Sequence, residues 1–334
     1  MGKLPTKDLK QLLDCVKSDS KIIVKPQFGF DAGVHQLANG EWLVVSTDPC
    51  IGVPKELFGW FLINYVASDI ALFGAKTQFC TINLLGPPLT GPKVFKKVMQ
   101  QTCKAAEELG ITIVTGHTGT YQGLSTLVGV CTGYGHITKD KLKTPAGAKP
   151  NDLVLCVKPV GLETTVNFAL THKKLAQKLF GSKKTEELAG LVFLQSCIKE
   201  ALLLACLDGV HALHDATEGG IISALNELAE ASKVGFQVNW DSLLFADQVQ
   251  ILKEAYQLTD TQLLSLSSTG TFLVAVNPEA KKEVETVLCK NNIDFQFVGV
   301  FTKDLGRVLV KNGKETVFPA QSNDPYARIL SGKP

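Results

Sequence analysis

The stretch NYVASDIALFGA, residues 64–75, sets a carboxylate into a helix that is otherwise nearly all apolar. On a 3.6-residue wheel Asp69 falls among Phe58, Leu62, Tyr65 and Phe73, in the middle of the stripe that has to face a core. An unpaired ion at such a position costs several kcal/mol even after relaxation. Any fold of this chain must therefore bring something to Asp69. A bound cation and a buried lysine are the two candidates.

Around this helix the pattern alternates between strands and helices. GEWLVVSTD, 40–48, reads as a strand ending at Asp48, and a helix follows over about 54–73, stopped by Gly74. QFCTINLLG, 78–86, is a strand. Residues 92–109 have helical spacing, with Gly110 as C-cap. ITIVTG and LSTLVGVCTGYGHI add two strands. TPAGAKPNDL, 144–153, carries two prolines and a glycine between apolar runs, which places a domain boundary at 146/147. Beyond it the spacing predicts a strand at 153–157 and helical segments at 163–181 and 184–207. The strand GVHALHD, 209–215, then leads through ATEGG into the helix IISALNELAEA. Further strands are expected at 235–239, 270–276, 294–301 and 307–311. A short amphipathic helix over 8–17 opens the chain. Both halves mix strands with packed helices, so the class is α/β or α+β.

Composition removes several function classes. Of 334 residues 45% are hydrophobic and 20% charged, so the chain is globular and long enough for two cores. The net charge is +2 with no basic block, which argues against nucleic acid or an anionic membrane surface as main partner. The first 21 residues are too charged for a signal peptide, and no apolar run reaches 18 residues, so no membrane span is expected. The nine cysteines form no CxxC. In a chain of this length an odd count points to buried, reduced thiols and a cytoplasmic protein.

Four carboxylates share a setting that favours ligands. Asp31 lies in FGFDAGV beside glycines that let a backbone approach a ligand. Asp48 and Asp215 each stand at a strand end, and Asp69 lies on the apolar helix. Asp48 before Pro49 can also be a turn residue. Asp215 can also be a helix cap, with Thr217 competing for that place. If all four converge they need a cation, because two carboxylates about 6 Å apart at an effective dielectric near 20 repel by roughly 3 kcal/mol. Hard oxygen ligands of this kind suit Mg²⁺ held together with substrate phosphates.

Two turns could supply the phosphate side of such a site. VTGHTGTYQG, 114–123, offers backbone N–H groups and hydroxyls after a strand, with His117 placed to touch phosphate. ATEGG sets backbone donors at a helix N-terminus. There is no GxxxxGK[ST] and no GxSxG. HALHD raises a zinc reading through His211, His214 and Asp215. On a strand, however, 211, 213 and 215 share one face and His214 takes the other.

In order along the chain, FDAGV, STD, SDIALFGA, TGHT, HDATEGGIISALNE and SSTGTFLVAV resemble the AIR synthase-like (PurM-like) ATP-binding superfamily. This superfamily includes aminoimidazole ribonucleotide synthetase, selenophosphate synthetase, thiamine-monophosphate kinase and the hydrogenase maturation factor HypE. The pieces span residues 31–276. HDATEGG looks most like the maturation factor, while SDI and GHT look more like selenophosphate synthetase.

The resemblance implies an N-terminal α/β domain, 1–146, that pairs with its copy in a homodimer, and a C-terminal α/β domain, 147–334. It implies ATP and Mg²⁺ in a cleft between them. Asp31, Asp48, Asp69 and Asp215 would be on the metal, and Thr47, Gly116, His117, Thr118, Thr217 and Glu218 would be around the nucleotide. The exposed-edge liability of the apolar runs 78–86 and 124–137 points to the same N-terminal pairing. The activity implied is phosphoryl transfer from ATP to a small-molecule or acyl/amide acceptor. Two departures qualify it. The maturation factor ends in a cysteine that accepts a carbamoyl group, whereas the last cysteine here is Cys289. Selenophosphate synthetase carries its reactive Cys or Sec in a loop, whereas Cys15 falls in the helical run LKQLLDCVK. The alternative is a nucleotide-binding or scaffold protein without turnover.

Overall fold

The structure is a computed structural model and describes residue 4, residues 6–17 and residues 19–333, without the side chain of Asp247. Its contacts divide it into two compact units. One comprises Cys15–Pro26 with Phe30–Leu142. The other comprises residues 6–14, Gln27–Gly29 and the chain from Lys143 onward. Helix α1 (Thr6–Leu13) opens the chain and belongs to the second of these units, with Lys10 paired to Glu230. It ends before Cys15, which is exposed beyond it rather than carried on a helix.

The first unit is one six-stranded sheet with two helices. In chain order it contains β1 (Ile22–Val24), β2 (Gly33–Gln36), β3 (Trp42–Ile51), α2 (Phe58–Leu72), β4 (Phe79–Gly86), α3 (Pro92–Leu109), β5 (Thr112–Thr120) and β6 (Val128–Ile137). The strand order is β1-β2-β3-β6-β4-β5, with β4 and β5 parallel and the other pairs antiparallel. The period-2 alternation of LVGVCTGYG explains where α2 sits. Gly129, Gly133 and Gly135 all face the helix, and an added Cβ at these positions would lie 2.9, 2.4 and 2.6 Å from Leu62, Val66 and the Lys76 carbonyl. Gly129, Gly133 and Gly135, with Cys131 between the first two, thus open a track on which a bulky helix lies close against the sheet.

Strand β3 runs through Asp48 and Pro49 to Ile51, three residues further than expected. The proline costs no ladder bond, because β2 pairs only with Trp42–Val45 and leaves that edge of β3 unpaired by strands from Ser46 on. Helix α2 starts at Phe58, four residues later than expected, after a turn closed by Leu57 N–H to the Pro54 carbonyl. Helix α3 matches its expected bounds, and Gly110 caps it in the left-handed region at φ 69°. The runs 78–86 and 124–137, expected as open edges, supply β4 and β6 in the sheet interior. The edge on that side is β5.

The second unit contains a seven-stranded sheet ordered β13-β12-β9-β11-β7-β10-β8. Its elements in chain order are β7 (Leu153–Val157), α4 (Leu162–Thr171), α5 (Lys173–Phe180), α6 (Ser182–Gly190), α7 (Ile198–Ala205), β8 (Val210–Asp215), α8 (Gly220–Ser232), β9 (Gly235–Asn239), α9 (Asp247–Tyr256), α10 (Asp260–Leu264), β10 (Phe272–Val276), α11 (Lys281–Lys290), β11 (Phe295–Thr302), β12 (Arg307–Lys311), β13 (Lys314–Val317) and α12 (Tyr326–Ile329). Helix α8 packs Ile221, Ile222, Leu225 and Leu228 against Val154, Cys156, Ala212, Leu273 and Phe236 of the sheet. A second core joins α4, α5, α6, α9, α10 and α12 through Phe168, Ala176, Leu188, Leu252, Tyr256, Leu263 and Ile329. The two long helical segments expected over 163–207 are cut into four. Gly181 at φ 82° breaks one junction and a 3-10 turn, Leu191–Gln195, another.

No disulfide forms among the described cysteines. Cys50, Cys80, Cys131, Cys156 and Cys197 are buried, while Cys15, Cys103, Cys206 and Cys289 are exposed, so burial holds for only part of the expected set. No single helix among the described residues is long and apolar enough to cross a membrane.

Candidate functional site

In the first unit, the apolar stripe of α2 packs onto β3 and β6 and carries Asp69 with it. Asp69 is 6% exposed and accepts a 2.6 Å hydrogen bond from the hydroxyl of Ser46 on β3. Alternation along β3 puts Val44, Ser46, Asp48 and Cys50 on the face that receives α2. Asp48 therefore shares a layer with Asp69, one pleat from its hydrogen-bond donor. The Asp48 charge reaches the thiols there: burial and then Asp48 push Cys50 up. Cys131 is pushed up by its contact with Cys80 first, then by burial, with Asp48 adding a further increment. Asp31 lies two residues before Gly33, which pairs with Val45. The antiparallel direction thus carries Asp31 toward Thr47 and Asp48. Asp31 thus precedes β2, Asp48 lies midway along β3, and Asp69 meets β3 at Ser46.

Most of the segment expected as a Gly-Thr turn, up to Thr120, is instead strand, and a turn follows only at 122–123. Gly116, His117 and Thr118 lie inside β5, opposite Ile82, Asn83 and Leu84. Gly116 is explained by packing, since a Cβ there would stand 2.3 Å from the Ile82 carbonyl oxygen. His117 is exposed and its Nε2 bonds the Tyr121 hydroxyl. Thr47 points to the sheet face opposite Asp48, where its hydroxyl meets that of Thr132 at 2.9 Å.

In the second unit, Asp215 closes β8 at 8% exposure, and the Thr217 hydroxyl donates to it at 3.4 Å. The helix N-terminus offered by ATEGG is already capped from within. Gly219 N–H donates to Asp324 Oδ2 at 3.2 Å and Gly220 N–H to the Thr217 carbonyl at 3.0 Å. Asp324 also takes the Ser267 hydroxyl at 2.6 Å and the Tyr326 N–H at 2.9 Å, and burial raises its pKa despite these donors. Nearby, at the start of α4, Glu163 accepts the Thr269 hydroxyl at 2.6 Å and its N–H at 3.2 Å. Burial pushes the Glu163 carboxyl up to about 7 against these two donors, with Asp324 and then Glu218 adding to the rise.

Both halves match family descriptions. Residues 29–135 match the N-terminal domain of AIR synthase related proteins, and residues 149–311 match the C-terminal domain. The chain is 30% identical to a selenide, water dikinase of Myxococcus xanthus over 263 residues, covering 76% of this chain and 70% of the relative. The chain belongs to the AIR synthase-related family. Its two-domain PurM-like fold is shared with the hydrogenase maturation protein HypE of E. coli, at a TM-score of 0.74 and 22% identity over 86% of this chain and 88% of that one. It is shared too with a HypE solved in complex with ATP, at 0.67 and 19% over 85% and 86%.

In this AIR synthase-related chain the histidines of HALHD part as strand alternation requires. His211 Nδ1 lies 2.9 Å from Asp152, and His214, 1% exposed, lies 2.7 Å from Glu227 on α8. Glu227 is also why Gly29 is a glycine: at φ 77° an added Cβ would come within 2.9 Å of the glutamate's own. Sequence reasoning passed over Glu163, Asn167, Gln195, Asp324 and Tyr326. Glu163 did carry a signal, a lone acid in the apolar run LVLCVKPVGLETTVNFAL, the same kind of signal that singled out Asp69. Gln195 reaches Asn167 from the turn before α7, and Asp324 and Tyr326 arrive only when the last segment folds back.

Proposed function

We propose that the chain binds Mg·ATP and transfers a phosphoryl group to a small-molecule or acyl/amide acceptor. Asp31, Asp48, Asp69 and Asp215 would be the Mg²⁺ ligands. Thr47, Gly116, His117, Thr118, Thr217 and Glu218 would contact the nucleotide. The observation that carries the reading is Asp69: a carboxylate 6% exposed on an apolar helix, on the same layer as Asp48. A buried carboxylate with a second, half-buried one on the same sheet face favours a hard divalent cation nearby. All the proposed ligands are carboxylate oxygens, the donor chemistry that Mg²⁺ takes. When bound, Mg·ATP would supply the electrophilic phosphorus, and the chain's part is positioning and charge neutralisation. The dikinase relative and the ATP-bound HypE support the same reading.

Calorimetry with Mg·ATP tests it directly, with ADP release as the second readout. Binding together with ADP release that Asp69→Ala abolishes is the expected result. No heat at millimolar nucleotide sinks the reading. Binding with no ADP release in the presence of hydroxyl, amide or selenide acceptors would leave the non-catalytic alternative standing instead.

We further propose that the first unit pairs with a second copy. Ile51 and Phe79, on the sheet face away from α2, keep 53% and 43% of their surface exposed, as does Val114 on β5 with 62%. Strand β5 has a strand on only one side among the described residues. Light scattering at micromolar concentration is expected to give twice the chain mass, and a monomer would refute the pairing.

A further inference from the structure

The C-terminal segment brings Tyr326 into contact with the start of α4. The Tyr326 hydroxyl stands beside the Glu163 carboxyl and accepts from Asn167 Nδ2 at 3.0 Å. Asn167 Oδ1 in turn accepts from Gln195 Nε2 at 3.0 Å. This makes a hydrogen-bonded chain Gln195–Asn167–Tyr326 that ends beside Glu163, and Gln195 and Asn167 are 1% and 2% exposed. At its far end Gln195 Oε1 is a buried acceptor with no donor among the described residues. Such an orphan forfeits the full desolvation penalty of its carbonyl unless a ligand or water completes it. Gln195 and Glu163 flank one turn. An added Cβ at Gly270 would lie 2.6 Å from Gln195 Cα, and the preceding Thr269 holds Glu163 through two bonds. Glu163 keeps 9% of its surface open, and the groups whose charge reaches it are Asp324 and the exposed Glu218.

We propose that Glu163 is the base that takes the proton of the phosphoryl acceptor, and that Tyr326, Asn167 and Gln195 hold and orient the pair; this rests on the phosphoryl-transfer reading above. The fitting acceptor is a small molecule presenting O–H or N–H donors, one to Glu163 and one to Gln195 Oε1. Its O–H or N–H bond breaks toward Glu163 and its lone pair forms the new bond to the γ-phosphorus. The bond from that phosphorus to the β-bridging oxygen then breaks, with the pair leaving on ADP, and Glu163 ends protonated. A carboxyl buried this way is half-ionised close to neutral pH, which suits a base at pH 7 better than an ordinary glutamate does. The neighbouring Tyr326 hydroxyl can donate to the ionised form and would then favour it.

The test measures ADP formation from Mg·ATP between pH 6 and 9 with water and a panel of small hydroxyl, amide and amine acceptors. Mg·ATP affinity is followed in parallel by calorimetry. Glu163→Gln is expected to bind Mg·ATP within about two-fold of wild type and to form ADP about 100-fold more slowly or worse. The wild-type rate should fall on the acid side with a midpoint near pH 7. Tyr326→Phe should move that midpoint to higher pH, a shift that a merely structural tyrosine would not produce. Glu163→Asp, which keeps the carboxyl, should retain part of the rate and guards against a folding defect in the glutamine variant. Wild-type rates in Glu163→Gln across the pH range would overturn this inference and leave phosphoryl transfer standing. A wild type that forms no ADP with any of these acceptors would overturn both.

Discussion

Replacing Asp69 by asparagine should leave the ligand-free protein at least as stable as wild type and remove most of the stabilisation that Mg·ATP confers. Asp69 is buried and the half-buried Asp48 stands on the same face of β3 as its partner Ser46, so neutralising one of them relieves repulsion. The asparagine carbonyl can still accept from the Ser46 hydroxyl, which preserves the contact between α2 and β3. In wild type, Mg·ATP at about 100 times its dissociation constant should add roughly 2.7 kcal/mol. That is a thermal shift of a few degrees for a chain of this length. Melting curves of both proteins with and without Mg·ATP check this. If Asp69 were instead paired with a buried lysine, Asp69→Asn would destabilise the ligand-free protein by about 3 to 5 kcal/mol and leave the ligand shift intact. That outcome would remove the proposed metal site.

Glu163 sets a second large effect, on the pH dependence of stability. Its carboxyl rises from an ordinary 4.5 to about 7 on folding, chiefly by burial, so the native state binds the proton more tightly than the unfolded chain does. The sign follows from linkage. The stabilisation from this group is fully present below the unfolded value, fades as pH rises from about 4.5 toward 7, and is gone above the folded value. Its size is about 3 kcal/mol. Glu163→Gln keeps the neutral form at every pH, so its stability relative to wild type should grow from near zero at pH 4.5 to about 3 kcal/mol at pH 8. Urea denaturation of both proteins at several pH values measures the difference directly. Parallel stability curves would show that Glu163 titrates normally and is not held in the environment described here.

The wrong sequence expectations have physical causes. Gly116, His117 and Thr118 read as a turn because glycine and threonine punctuate loops, yet β4 offers a parallel partner and Gly116 is small for the sake of the Ile82 carbonyl. The β4 and β6 runs look like exposed edges because hydrophobic pattern says that a strand is buried, not which strand lies beside it. The donors of ATEGG look free for an anion because Asp324 stands about a hundred residues away in sequence, and only the folded tail brings it to Gly219.

By itself the sequence determined the two α/β halves, the bounds of α3, the strand-and-helix passage from β8 to α8, and the oddity of Asp69, because these depend on local periodicity, capping and the cost of burying a charge. It also carried the family, through an ordered set of short stretches. Only the tertiary structure decided that Ser46 meets Asp69, that β5 rather than β4 or β6 is an edge of the sheet, and that a hydrogen-bonded chain from Gln195 ends on Tyr326 beside Glu163. Those contacts join residues far apart along the chain, and nothing in local spacing encodes which distant partner a buried polar group will find.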